Sequence, residues 1–115
     1  MTDIQKALLG DREAQERVTE RGELLPCPCC GGEAVFHTRE RMMHGEKLGW
    51  IFEIMCKKCN FAMAGKPCEL SLVLGRNCEI CFVKDERNDA MERWNHRPAL
   101  LKPEQIKRLE EMENE

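Results

Sequence analysis

Tyrosine is missing from this 115-residue chain, and the other large aromatics are few, two tryptophans and four phenylalanines. With 34% of its residues charged, burial of large side chains cannot be its main source of stability. No apolar run approaches the ~18 residues needed to cross a bilayer, which excludes a membrane-spanning helix. The chain opens without the charged and apolar regions of a secretory segment, so neither export nor a disulfide framework is expected, and a cytoplasmic location is. No glycine-rich phosphate loop, nucleophile–base pair or carboxylate dyad can be assembled from it, and a non-enzymatic role is expected. An excess of positive charge is lacking too. The net charge is −3, with residues 27–66 at +2 between ends that are −2 and −3. A basic middle that weak is too little for bulk electrostatic binding to nucleic acid.

Against these absences stand eight cysteines. Cys27-Pro28-Cys29-Cys30-Gly31-Gly32 and Cys56-Lys57-Lys58-Cys59-Asn60 each carry two thiols at a C-x2-C spacing. Two intervening residues let both sulfurs converge at about 2.3 Å on one ion, while amides of the turn hydrogen-bond the thiolates. Gly31 or Gly32 in one loop and Asn60 in the other tolerate the left-handed backbone such a turn needs. Cys27, Cys30, Cys56 and Cys59 are therefore the expected ligands of one structural Zn2+, and binding it would take the formal charge to about −5. A redox C-x-x-C would require a βαβ setting, and the chain shows none.

The remaining thiols read differently. Cys29 lies between two ligands and should point away from the ion as a small apolar filler. Cys78-Glu79-Ile80-Cys81 is a third C-x2-C, and with Cys68 it could form a second metal site completed by Cys29, His37, His44 or His96. A regular strand through Ile80 and Phe82 would put Cys78 and Cys81 on opposite faces, so Cys68, Cys78 and Cys81 are expected to stay reduced thiols.

The expected fold is small α+β, a zinc ribbon of β-hairpins with a helix packed on its C-terminal side and helical extensions at both ends. An N-terminal helical arm (1–22) has Thr2 or Asp3 and then Asp11 as caps, with stops at Gly10 and Gly22. It either frays or docks. In the ribbon domain (23–98), strands are expected from Glu33 to Arg41 and from Trp50 to Met55, with reversal through residues 42–49. Trp50, Phe52 and Ile54 share the inner face. Two more strands, Glu69 to Leu74 and Glu79 to Val83, turn through Gly75-Arg76-Asn77. Asp85 caps a helix that buries Ala90, Met91 and Trp94, with Asn95 ending it in a left-handed conformation, Arg97 bonding its last carbonyls and Pro98 preventing its continuation. The tail (99–115) carries a helix starting at Pro103, for which Lys102 is a poor cap.

Leu25-Pro26-Cys27-Pro28-x-Cys30-Gly31-Gly32-Glu33-Ala34, then Cys56-x-x-Cys59, then Ala90-Met91-x-x-Trp94-Asn95-x-Arg97, resembles the Lar-like restriction alleviation proteins of phages and prophages, over residues 24–98. Cys29 stands where that family usually has an aromatic residue, and the stretch from Cys68 to Phe82 reads as an insertion. The resemblance implies a counter-defence accessory protein that acts in the host cytoplasm. Its partner would be a host defence enzyme, a type I restriction–modification complex, tilted towards modification over cleavage. Two alternatives come from other classes. One is a nucleic-acid-binding ribbon using Arg39, Arg41, Lys47, Lys57 and Lys58, with Trp50 or Phe36 stacking on bases. The other is a structural adaptor in a phage assembly.

Overall fold

The computed structural model describes residues 1–63 and 65–114. Among them are helices α1 (Asp3–Leu8), α2 (Arg12–Glu20), α3 (Arg87–Asn95) and α4 (Pro103–Glu113), and strands β1 (Ala34–His44), β2 (Lys47–Cys56), β3 (Cys68–Leu74) and β4 (Ile80–Asp85). The strands form one antiparallel sheet in chain order, so each is joined to its neighbour without a crossover. The α+β ribbon architecture is as expected.

The first hairpin is longer and its turn tighter than the sequence suggested. His44 pairs with Lys47, leaving only Gly45-Glu46 to reverse the chain. Gly45 takes φ +62, the sign that two-residue hairpin turns require. Residues 42–44 and 47–49 therefore pair rather than loop, because a tight turn of this kind matches the right-handed twist of both strands.

The face of β2 containing Phe52, Ile54 and Cys56 is buried, and α3 lies over it with Ala90 and Trp94. Nine helical residues span about 13.5 Å whereas ten strand residues span about 33 Å, so α3 covers only the end of the sheet nearest the cysteines. Trp50 is consequently half-buried, not enclosed. Asp85 is the last residue of β4 instead of the formal cap of α3, yet its carboxylate still accepts the Arg87 N–H at 3.1 Å. The Arg87 guanidinium doubles this contact, at 2.9 and 2.7 Å, and holds the Asp85 carboxyl below its usual range.

A second apolar cluster joins the N-terminal helices to the segment before the first knuckle. Ala7, Ala14, Val18 and Leu25 are fully buried, with Ile4 and Leu8 packed around them. Thr2 and Gln5 form a reciprocal capping box on α1, at 2.9 and 3.1 Å, and the Asp11 carboxylate accepts the Glu13 N–H at 3.1 Å on α2. Gln15 ties α2 to both sides, donating to Ala7 O at 3.0 Å and to Arg97 O at 3.2 Å. The arm is docked. The tail returns to it through Leu100 N–H on Leu9 O at 3.0 Å and a Lys6–Glu110 ion pair at 3.0 Å.

Candidate metal centre

Two loops with the same hydrogen-bond plan carry the four sulfurs. In the first, Cys27 N–H donates to Gly32 O at 2.9 Å and Gly31 N–H to Cys27 O at 3.0 Å. In the second, Cys56 N–H donates to Phe61 O at 2.8 Å and Asn60 N–H to Cys56 O at 3.0 Å. The position four after the first cysteine is left-handed in both, Gly31 at φ +74 and Asn60 at φ +63. Glycine and asparagine are the residues that occupy this region at least cost, which is why the sequence marked both turns. The antiparallel pairing of Ala34 with Cys56 then sets the loops side by side at one end of the hairpin.

Cys27, Cys30, Cys56 and Cys59 converge, with all four sulfurs within 4.8 Å of one another. Cys27 Sγ lies 3.6 Å from Cys59 Sγ, and Cys30 Sγ 3.4 Å from Cys56 Sγ. Four sulfurs at about 2.3 Å from a single ion form a tetrahedron of edge about 3.8 Å, so the cluster fits one metal ion with little adjustment. Backbone amides already point at the sulfurs. Cys29 N–H reaches Cys27 Sγ at 3.4 Å, and Lys58 and Cys59 N–H reach Cys56 Sγ at 3.3 and 3.4 Å. Such donors stabilise thiolate, the form that binds metal.

Their effect on protonation is large. The Cys59 amide, helped by that of Lys58 against the opposing effect of burial, brings the Cys56 thiol down to about 6. For Cys59 the Phe61 amide pulls down, but sulfur contacts from Cys30, Cys27 and Cys56 together with burial carry it up to about 12. Burial also pushes Cys27 up, and the amides of Cys30 and Cys29 outweigh it, leaving Cys27 lowered. Four thiols this close cannot all ionise without a cation between them, and a dication would take the place of the shared protons.

Gly32 shows how tightly the cluster is packed. A Cβ there would stand 2.8 Å from Cys56 Sγ and 3.2 Å from Cys30 Sγ. Gly32→Ala is expected to force the two sulfurs apart and to weaken metal retention by the ~1–3 kcal/mol typical of overpacking, read as faster metal transfer to a competing chelator. Retention equal to wild type would show that the sulfurs are free to shift.

Three residues of the helix-ending motif meet the chain just before the first knuckle. Trp94, 3% exposed, donates its Nε1–H to Leu25 O at 2.7 Å. Arg97 donates to Pro26 O at 2.8 Å and to the carbonyls of Trp94 and His96, as expected of a residue closing a helix. Burial lowers Arg97 from its ordinary range, and the Cys27 sulfur opposes that shift. Asn95 corrects the sequence reading. It is helical, not left-handed, and fully buried; its Oδ1 accepts Leu25 N–H at 2.8 Å, while Nδ2 donates to Thr19 Oγ1 and Glu23 O, both at 3.0 Å. The helix ends at Pro98's approach regardless, and the amide side chain is recruited because it can satisfy two buried groups, Leu25 N–H and Thr19 Oγ1, and the part-buried Glu23 carbonyl at once.

The other cysteines separate. Cys29 is exposed, so it fills no apolar space, because the knuckle turns it outward between two inward sulfurs. Cys78 and Cys81 are both exposed, Cys78 in the β3–β4 turn, left-handed at φ +61, and Cys81 in β4 opposite Val73. Cys68 is fully buried at the opposite end of β3, about 20 Å along the strand. The second site imagined from Cys68, Cys78 and Cys81 is therefore not assembled. Cys68 instead lies near Glu86 and Asp89, and Arg93 occupies that group by donating to Cys68 Sγ at 2.6 Å and to Asp89 at 3.1 Å. His37, His44 and His96 are not part of the four-sulfur cluster.

Among the described residues no helix is long and apolar enough to cross a membrane. Comparison with protein-family models, with curated proteins and with solved structures gave no match.

Proposed function

We propose that this chain is a zinc-stabilised interaction protein of a phage or prophage that binds a host restriction–modification enzyme and alleviates restriction. The observation that carries the reading is the way its two diagnostic stretches form one unit. Trp94, Asn95 and Arg97 are each hydrogen-bonded to the Leu25-Pro26 segment that enters the first knuckle. The residues on which the family resemblance rests thus depend on one another physically. Zinc is the metal best suited to four thiolates in a tetrahedron without an open position, a closed site that supplies stability and not catalysis. An acidic protein is also suited to approach the basic DNA-binding surfaces of restriction enzymes.

The test has two arms. Expression of the protein in a host with type I restriction is expected to raise the survival of unmodified phage or plasmid DNA, and the tagged protein is expected to retain subunits of that complex. Unchanged survival in such hosts would overturn the assignment. In the second arm the purified protein is expected not to bind random duplex DNA at physiological salt. Tight binding that falls steeply with added salt would favour a nucleic-acid ribbon instead.

A further inference from the structure

Helices α2 and α3 flank a cleft of about 410 Å³ that the metal centre does not use. Its floor is polar and buried. Gln15, Thr19 and Asn95 lie there, and the bonds from Asn95 to Thr19 Oγ1 and from Gln15 to Arg97 O tie the two sides together. Its walls carry three exposed carboxylates, Glu16 and Glu20 one turn apart on α2 and Glu92 on α3. None of the three has an ion pair among the described residues. Arg12 is the one guanidinium among the described residues that line the cleft, and it is turned to His96, with Nη1 3.2 Å from Nδ1. Glu92 accepts a single neutral hydrogen bond, from Asn88 at 3.1 Å. Three carboxylates against one guanidinium leave the lining net negative.

The floor asks for the same kind of ligand. Gln15 is 5% exposed and uses both amide hydrogens, on Ala7 O at 3.0 Å and on Arg97 O at 3.2 Å. Its Oε1 accepts from no described donor and is not sealed inside the protein, so it faces the open space that Gln15 lines, which is this cleft. Carboxylates and amide oxygen alike are acceptors, and their complement is a cation rich in N–H donors. The carboxylates of Glu16, Glu20 and Glu92 do not all fall within 4.8 Å of one another, which puts a single metal ion out of reach of the three. A guanidinium reaches separated acceptors with five N–H donors in a planar fork, whereas an ammonium is a compact point charge. One exposed ion pair contributes little, so selectivity comes from one fork meeting several acceptors over a buried floor.

We infer that this cleft receives an arginine side chain from a basic segment of a partner protein, held between the Glu16–Glu20 edge of α2 and Glu92 of α3 with Gln15 Oε1 beneath it. The rim is exposed, so a chain passing over it adds contacts that a small free cation lacks. The inference concerns how a partner is held and is independent of which partner it is, and an unchanged level of restriction would leave it standing.

Titration of the isotope-labelled, metal-loaded full chain with the peptide acetyl-Gly-Arg-Gly-Arg-Gly-amide, followed through backbone amide chemical shifts, tests it. Shifts should centre on Gln15, Glu20 and Glu92, and the same peptide with citrulline, the neutral isostere of arginine, should produce none. Lysine in place of arginine should weaken binding about threefold or more. Glu20→Gln combined with Glu92→Gln keeps the size of two exposed side chains, and it should weaken binding at least about fivefold while metal content and helical signal stay at wild-type levels. Glu111→Gln, on α4, should leave binding unchanged. Absence of shifts at millimolar peptide would overturn the inference. So would shifts scattered over the other acidic surfaces, citrulline or lysine peptides that bind as tightly, or a double variant that binds like wild type. Spermidine binding the cleft more tightly than the peptide would overturn it too, by making the occupant a polyamine.

Discussion

Replacing Cys56 by serine is expected to unfold the sheet and α3 together, seen as loss of folded signal and of bound metal in the same sample. Cys56 is fully buried, its sulfur lies 3.4 Å from Cys30 Sγ, and two backbone amides point at it. A serine oxygen is a poorer ligand and leaves the other three thiolates crowded without a complete tetrahedron. Structural zinc contributes apparent free energies on the order of 10–16 kcal/mol in small metal-dependent folds, against ~5–15 kcal/mol for the net stability of a whole domain. Chelation of the wild-type protein should give the same result. Cys29→Ser is the control. Its side chain is exposed between two ligands, and a change within about 0.5 kcal/mol is expected. Equal damage from the two substitutions would mean that the ligand set is wrong.

Asn95→Ala should be the most destabilising change outside the sulfur cluster, by about 2–4 kcal/mol in chemical denaturation. The side chain is fully buried and serves Leu25 N–H, Glu23 O and Thr19 Oγ1 at once. Alanine removes the amide that serves all three groups and leaves them behind, where each unsatisfied buried group costs about 1–3 kcal/mol before water enters or the site relaxes. Thr19 belongs to α2, Glu23 and Leu25 to the entry segment, and Asn95 to α3, so the loss should loosen the N-terminal helices from the ribbon. Faster proteolysis near Gly22 would report it. A stability change under 0.5 kcal/mol would show that the network is satisfied equally well without the amide.

The metal centre was legible because it is local. A C-x2-C spacing with Gly31 or Asn60 after it specifies a turn through a few backbone angles, and a hairpin between two such turns returns the second to the first. The caps at Thr2 and Asp11, the Pro103 start and the core role of Trp94 were legible for the same reason, since each depends on neighbours within one or two helical turns. Asn95 was misread because its three partners lie 70 to 76 residues away and nothing in its local sequence announces them. Cys68 and the Cys78–Cys81 pair were candidates for one site only until β3 extended between them. The sequence by itself determined which sulfurs could meet, where the chain turns and which residues favour helix or strand. Tertiary structure alone decided that α3 covers one half of the sheet, that the N-terminal helices dock through Gln15 and Asn95, and that an apolar face stays open, because burial and long-range hydrogen bonding are properties of the assembled layers and not of any one segment.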